Sequence, residues 1–141
     1  MDKRVTEHLQ RLLQYINELE DISRTSENEF VESSILVAAT ERNFQLAIET
    51  CINIGNRILS IEQFNVAVNP PESYADIFIQ LVRIGIIDKD LSESMINMAR
   101  FRNRLVHLYW DVDPKTIYNY LNNNLGDFHS FIKAVNDYYT N

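Results

Sequence analysis

Turn-forming residues are scarce in this chain, whose 141 residues include three glycines and three prolines. So few breakers leave few places to reverse direction. That excludes a sheet protein of many short strands and favours a handful of long helices. A single cysteine, Cys51, excludes an intrachain disulfide and suits a reducing compartment. It sits inside a helical apolar stripe and reads as a small core residue. No apolar run approaches the ~20 residues that a membrane span needs. The stretch from Met1 to His8 enters an amphipathic pattern directly, without a signal-peptide apolar region, so the expected location is cytoplasmic. There is no phosphate-cradling glycine loop and no G-x-S-x-G. His8, His107 and His129 have no metal-ligand spacing with one another or with Cys51, so neither a metal nor a cofactor is expected. Positive charge is also short. A net charge of −7 argues against a chain that coats RNA or DNA, because phosphate neutralisation dominates non-specific affinity.

What is present is an ordinary globular composition, 45% hydrophobic and 23% charged, expected to form one domain over residues 1–141. Val5, Leu9, Leu12, Leu13, Ile16 and Leu19 recur at threes and fours and predict a first helix from about Asp2 to Ile22. Ser26 and Glu29 have capping-box spacing. They open a long second helix, Glu27 to Glu62, with a stripe of Phe30, Val37, Phe44, Ile48, Cys51, Ile52, Ile58 and Leu59. Gly55 within it predicts close helix packing. After a loop ending in Pro70-Pro71, Ser73 to Asp76 caps a third helix that stops at Gly85. Asp88 caps a fourth, and Asp113-Pro114 opens a last helical region broken near Asn122 to Asn124. The fold class is all-α: an antiparallel bundle of four to five helices with one long second helix.

Cations, an imidazole and a phenol concentrate in one place. Arg100, Arg102 and Arg104 are three of the nine arginines, and His107, Tyr109 and the single tryptophan, Trp110, follow at once. On a helical wheel Arg102 falls among Leu91, Met95, Met98, Leu105 and Val106, inside the apolar stripe of its own helix. An arginine there must be paired or face a wet cleft. Asn103 and His107 are an i,i+4 pair on a neighbouring face, and Tyr109 nearly aligns with Arg102. Such a set can cleave RNA without a metal. The 2′-OH is the nucleophile, a histidine moves protons, and a guanidinium stabilises the charged phosphorane. One histidine is thin for both acid and base; a twofold dimer would supply two. A plainer reading stays open on the residues alone: Arg102 is a core arginine paired with Glu41 or Glu49, and His107 caps a helix C-terminus.

The stretch Arg102 to Tyr109 resembles the Arg-x4-His-x-Tyr motif of HepT-type toxins in the HEPN superfamily. The resemblance extends to Glu41–Glu49, to Ile52–Asn56 and to Ser73 through Ile87, and covers roughly the whole chain. It implies a helical, usually dimeric, metal-independent RNase encoded beside an MNT-type nucleotidyltransferase antitoxin. That partner is understood to transfer AMP from ATP onto the motif tyrosine. Carried over, Arg102 and His107 form the catalytic pair. Asn103, Arg100 and Arg104 support it or bind RNA, and Tyr109 is the modification site. The family often has Asp at the position of Asn53 and His at that of Arg57. Two other readings compete with an RNase toxin. One is a non-catalytic helical subunit that holds substrate or nucleotide for a nucleotidyltransferase; the other is an interaction module with a vestigial site.

Overall fold

The computed structural model describes residues 1–107 and 112–140. Its helices are α1 (Lys3–Ser23), α2 (Glu27–Glu32), α3 (Ser34–Glu62), α4 (Tyr74–Arg83), α5 (Lys89–Val106), α6 (Pro114–Asn123) and α7 (Leu125–Thr140). The all-α expectation holds, with one revision. The helix expected from Glu27 to Glu62 breaks at Ser33, so the long helix is third in chain order rather than second. The cause is local. Ser33 adopts an extended conformation (φ −103°, ψ 102°) and its hydroxyl accepts the Leu36 N–H, starting α3. Its own N–H closes α2 onto Phe30. A serine hydroxyl competes with the helical ladder here, as it does at any N-cap.

α1 runs antiparallel to α3. Its first turn is fixed to the distal part of α3 by a two-pronged pair, Arg57 Nε and Nη2 donating to Asp2 at 3.1 Å each. That guanidinium holds the Asp2 carboxyl below its ordinary range, against partial desolvation. At the other end the Tyr118 hydroxyl donates to the Thr25 carbonyl, joining α6 to the α1–α2 turn. Six phenylalanines, Phe30, Phe44, Phe78, Phe101, Phe128 and Phe131, are fully buried between the helices. Cys51 is buried with them, and burial pushes its thiol pKa up, consistent with a core residue. No helix among the described residues is long and apolar enough to cross a membrane.

The hairpin of α4 and α5 is what places the site. Gly85, at φ +82°, ends α4 with the Gly85 N–H on Val82 and the Ile86 N–H on Leu81, a Schellman arrangement. The chain reverses and Asp88 caps α5 through the Leu91 N–H. The start of α4 therefore lies beside the end of α5. Gln80, buried in α4, accepts the Asn69 N–H and donates to Asp76, which ties the preceding loop down.

α4 packs tightly on α3 at Gly55, where a Cβ would lie 2.6 Å from Ile77 Cγ2 and 3.2 Å from Leu81 Cδ1. Alanine would gain about 1 kcal/mol of helix propensity but cost roughly 2 kcal/mol by overpacking against a stiff β-branched neighbour. Gly55→Ala is expected to destabilise the protein by about 1 kcal/mol, read as a lower urea midpoint with unchanged slope. A gain in stability would show that Ile77 yields freely.

Candidate functional site

Arg102 is fixed from both sides of its helix. Its neighbour Phe101 is buried, stacked on Tyr120 (centroids 3.9 Å, planes 9° apart) and set edge-on to Phe44 at 5.4 Å. These rings fix the rotation of α5 about its axis. The next residue points ~100° away, which carries the Arg102 side chain to the flank of α3. There Nε and Nη2 both donate to Glu49 Oε1, at 3.1 and 2.6 Å. Nη1 reaches Asn103 Oδ1 at 3.4 Å. The side chains of Arg102 and Glu49 are 19% and 32% exposed, so the pair is half-sunk rather than sealed. These bonds do not exhaust the N–H donors of a guanidinium. Arg102 also lies over Tyr74, with Cζ 5.9 Å from the ring centroid, in cation–π range.

His107 is the residue at which α5 ends. Its backbone leaves the helix (φ −82°, ψ 116°) and it is half-buried. Asn103 is half-buried and Arg100 and Arg104 are exposed. Arg100 Nη1 donates to Asn97 Oδ1 at 3.4 Å. Leu108 to Asp111 lie outside the described residues, and so therefore does the Tyr109 expected as the modification site.

Both sequence readings of Arg102 thus meet in one geometry: it is paired with Glu49, and it remains open to solvent along one edge. Of the two carboxylates expected for it, Glu49 is the one that bonds. Asn53, one turn further along α3, is exposed, and Arg57 is engaged with Asp2. The positions that depart from the family pattern are therefore not those that hold the arginine here. Tyr74 escaped the sequence reading. Its capping neighbours, Ser73 and Asp76, were legible, but its place beside Arg102 follows only from the α4–α5 hairpin.

A family model described as ribonuclease HepT-like matches residues 12–135. A tRNA nuclease HepT from Aphanizomenon flos-aquae is 26% identical over 132 residues, covering 92% of this chain and 86% of that protein. An mRNA nuclease HepT from Shewanella oneidensis is 28% identical over 108 residues, covering 77% of this chain and 78% of that protein. Among solved structures, a tri-AMPylated Shewanella oneidensis HEPN toxin in complex with an MNT antitoxin superposes with a TM-score of 0.86. It covers 97% of this chain and 99% of its own, and at 23% identity the likeness is one of fold.

Removing one member of a half-buried ion pair strands the other, whereas removing both does not. Glu49→Leu and Arg102→Leu are each expected to cost about 1–2 kcal/mol, between the values for exposed and buried pairs. The double variant should cost less than the sum. Denaturant unfolding of the four proteins measures the coupling, and strict additivity would mean that the pair contributes nothing.

Proposed function

The chain belongs to the HepT-like ribonuclease family, and from that premise we propose that it is a metal-independent endoribonuclease toxin, silenced when a nucleotidyltransferase antitoxin AMPylates Tyr109. The observation that carries this reading is Arg102. A half-buried guanidinium, held by Glu49 with donors to spare, stands at the end of the helix that terminates in His107. Arg100 and Arg104 add exposed cations at the same end of a chain whose net charge is −7. A body of that charge admits an RNA strand at one place rather than everywhere. The curated relatives, a tRNA nuclease and an mRNA nuclease, support RNA as the substrate class.

In the proposed reaction the 2′-OH of the substrate attacks the adjacent phosphorus. The P–O5′ bond breaks, leaving a 2′,3′-cyclic phosphate and a 5′-hydroxyl. Arg102 donates to the non-bridging oxygens, where negative charge develops. Asn103 holds the guanidinium through its amide oxygen, and its amide nitrogen is available to phosphate. His107 moves a proton, either from the 2′-OH or to the leaving O5′. In a homodimer with the two α5 ends facing across the axis, one His107 serves as base and its twin as acid. No step calls for a metal ion.

The antitoxin is proposed to act in the cytoplasm by transferring AMP from ATP to the Tyr109 phenol: the phenol oxygen bonds the α-phosphorus, pyrophosphate leaves, and the phenol proton is lost to solvent. The added phosphodiester brings one negative charge, which the neighbouring arginines can pair by charge-assisted hydrogen bonds. The adenylyl group then occupies the groove that RNA requires, with no change of fold. A non-catalytic subunit serving a nucleotidyltransferase is the alternative, and no particular contact favours it.

Expression of this chain alone should arrest growth, and His107→Ala or Arg102→Ala should relieve the arrest. Equal toxicity of wild type and variants would remove the catalytic reading. Tyr109→Phe should remain toxic in the presence of the antitoxin, while the wild type gains the mass of AMP. If both are neutralised with no added mass, the antitoxin acts by covering the cleft.

Cleavage should persist in EDTA and weaken as salt screens the Arg100, Arg102 and Arg104 cluster. A rate restored only by Mg²⁺ would require a different mechanism.

A further inference from the structure

Beside Arg102 lies a cavity of about 380 Å³ whose walls include Tyr74, Ile96, Ala99, Arg100 and Asn103. We propose that this cavity is a nucleobase subsite, in which one base of the bound RNA stacks on Tyr74 while the strand's phosphate meets Arg102 and Arg100. The proposal rests on the ribonuclease reading and adds to it a means of gripping the substrate.

Four features of the cavity point to a base. The first is an exposed aromatic face. Tyr74 is 42% exposed, whereas six of the seven phenylalanines are buried. The second is rigidity. Tyr74 is the first residue of α4, and the Ser73 hydroxyl accepts the Asp76 N–H at 3.1 Å while Asp76 accepts the Glu72 N–H at 3.2 Å. The ring therefore stands on a fixed backbone, and little ordering is left to be done when a ligand arrives. The third is the company of the ring. The Arg102 guanidinium lies 5.9 Å from its centroid, so a base on the ring has its phosphate within the reach of a cation already proposed to hold the scissile group. The fourth is the lining. Ala99 and the half-buried Ile96 give an apolar floor, and the Asn103 amide nitrogen, whose two N–H donors are not used by Arg102, can serve a base edge as well as a phosphate.

Charge makes such a grip necessary. On a chain of net charge −7 the few cations of this face cannot hold a strand by phosphate contacts alone. Stacking is independent of net charge and tolerant of sequence, because every base has a π-face. The cavity has room for one base and its sugar, and lies within the ordinary range of small-ligand sites.

The test uses the full chain carrying His107→Ala, so that RNA stays intact, and a fluorescent single-stranded RNA of mixed sequence, about ten nucleotides long. Tyr74→Ala should weaken binding about tenfold, as loss of one stacked base does. Tyr74→Phe and Tyr74→Trp should retain it. An RNA with one abasic position next to the cut should bind the Tyr74 and Tyr74→Ala chains alike. In chains with His107 restored, Tyr74→Ala should raise KM with little change in kcat. Unchanged binding and KM in Tyr74→Ala overturn the subsite and leave the ribonuclease reading intact. Failure of the His107→Ala chain to bind this RNA at all also overturns the subsite. If Tyr74→Ala instead disrupts self-association or the antitoxin complex and leaves RNA binding untouched, the cavity is a protein contact and the proposal falls. If the wild-type chain cleaves no RNA while binding still depends on Tyr74, the ribonuclease reading fails and the subsite stands.

Discussion

The Arg102–Glu49 pair is the constraint on which the site depends. A guanidinium in the apolar stripe of α5 would be costly without a counter-charge, and a fully sealed pair would be useless to a ligand. Placing the pair at the flank of α3, partly open, meets both demands. Glu49 takes up the charge at rest and fixes the fork of the guanidinium in one plane. On the proposed function, an incoming phosphate would meet donors already aimed, rather than a long side chain that must first be ordered. The rest of the bundle can be seen as the means of bringing residue 102 to residue 49. Phe101 between Phe44 and Tyr120 sets the rotation of α5, and Gly55 lets α4 close on α3 so that α5 follows.

Much of this was legible in the sequence, and the reasons differ from one element to the next. Helix existence followed from periodicity: Val5, Leu9, Leu12, Ile16 and Leu19 of the stripe expected for α1 are buried, while Leu13 is exposed. Caps followed from side-chain chemistry, and Ser26, Ser73, Asp88 and Asp113 each accept the backbone N–H that a cap should. The break at Ser33 was hidden because the apolar stripe runs across it in register, from Phe30 to Val37, and periodicity alone cannot see a hydroxyl taking a backbone donor. Glu49 was one of two carboxylates that the spacing allowed. The choice between them depends on how far α5 slides along α3, a tertiary quantity.

Other features had no local signal. Phe101 stands next to the arginines with no sequence pattern to mark it, yet it orients the whole end of α5. Tyr74 looked like a first-turn residue of an unremarkable helix. What makes it notable is exposure beside a cation contributed by another element, and that is decided by where the chain reverses. Arg57 stood out only as a departure from the family pattern; its use proved structural, holding the first turn of α1 through Asp2.

The reversal at Gly85 has a further consequence, which concerns cooperativity. Tyr74 and Asn103 are 29 positions apart along the chain, and Glu49 and Arg102 are 53 apart. Closing the longer loop costs only about 0.5 kcal/mol more than closing the shorter one, less than RT. Chain entropy therefore gives the groove no meaningful lead over its anchor. Loop closure thus gives no reason for a half-formed site with its arginine unclaimed, and two-state unfolding of the domain would make or lose the groove and the ion pair together with the core. Weakening the core at a distance would then lower the number of working molecules while leaving each survivor unchanged.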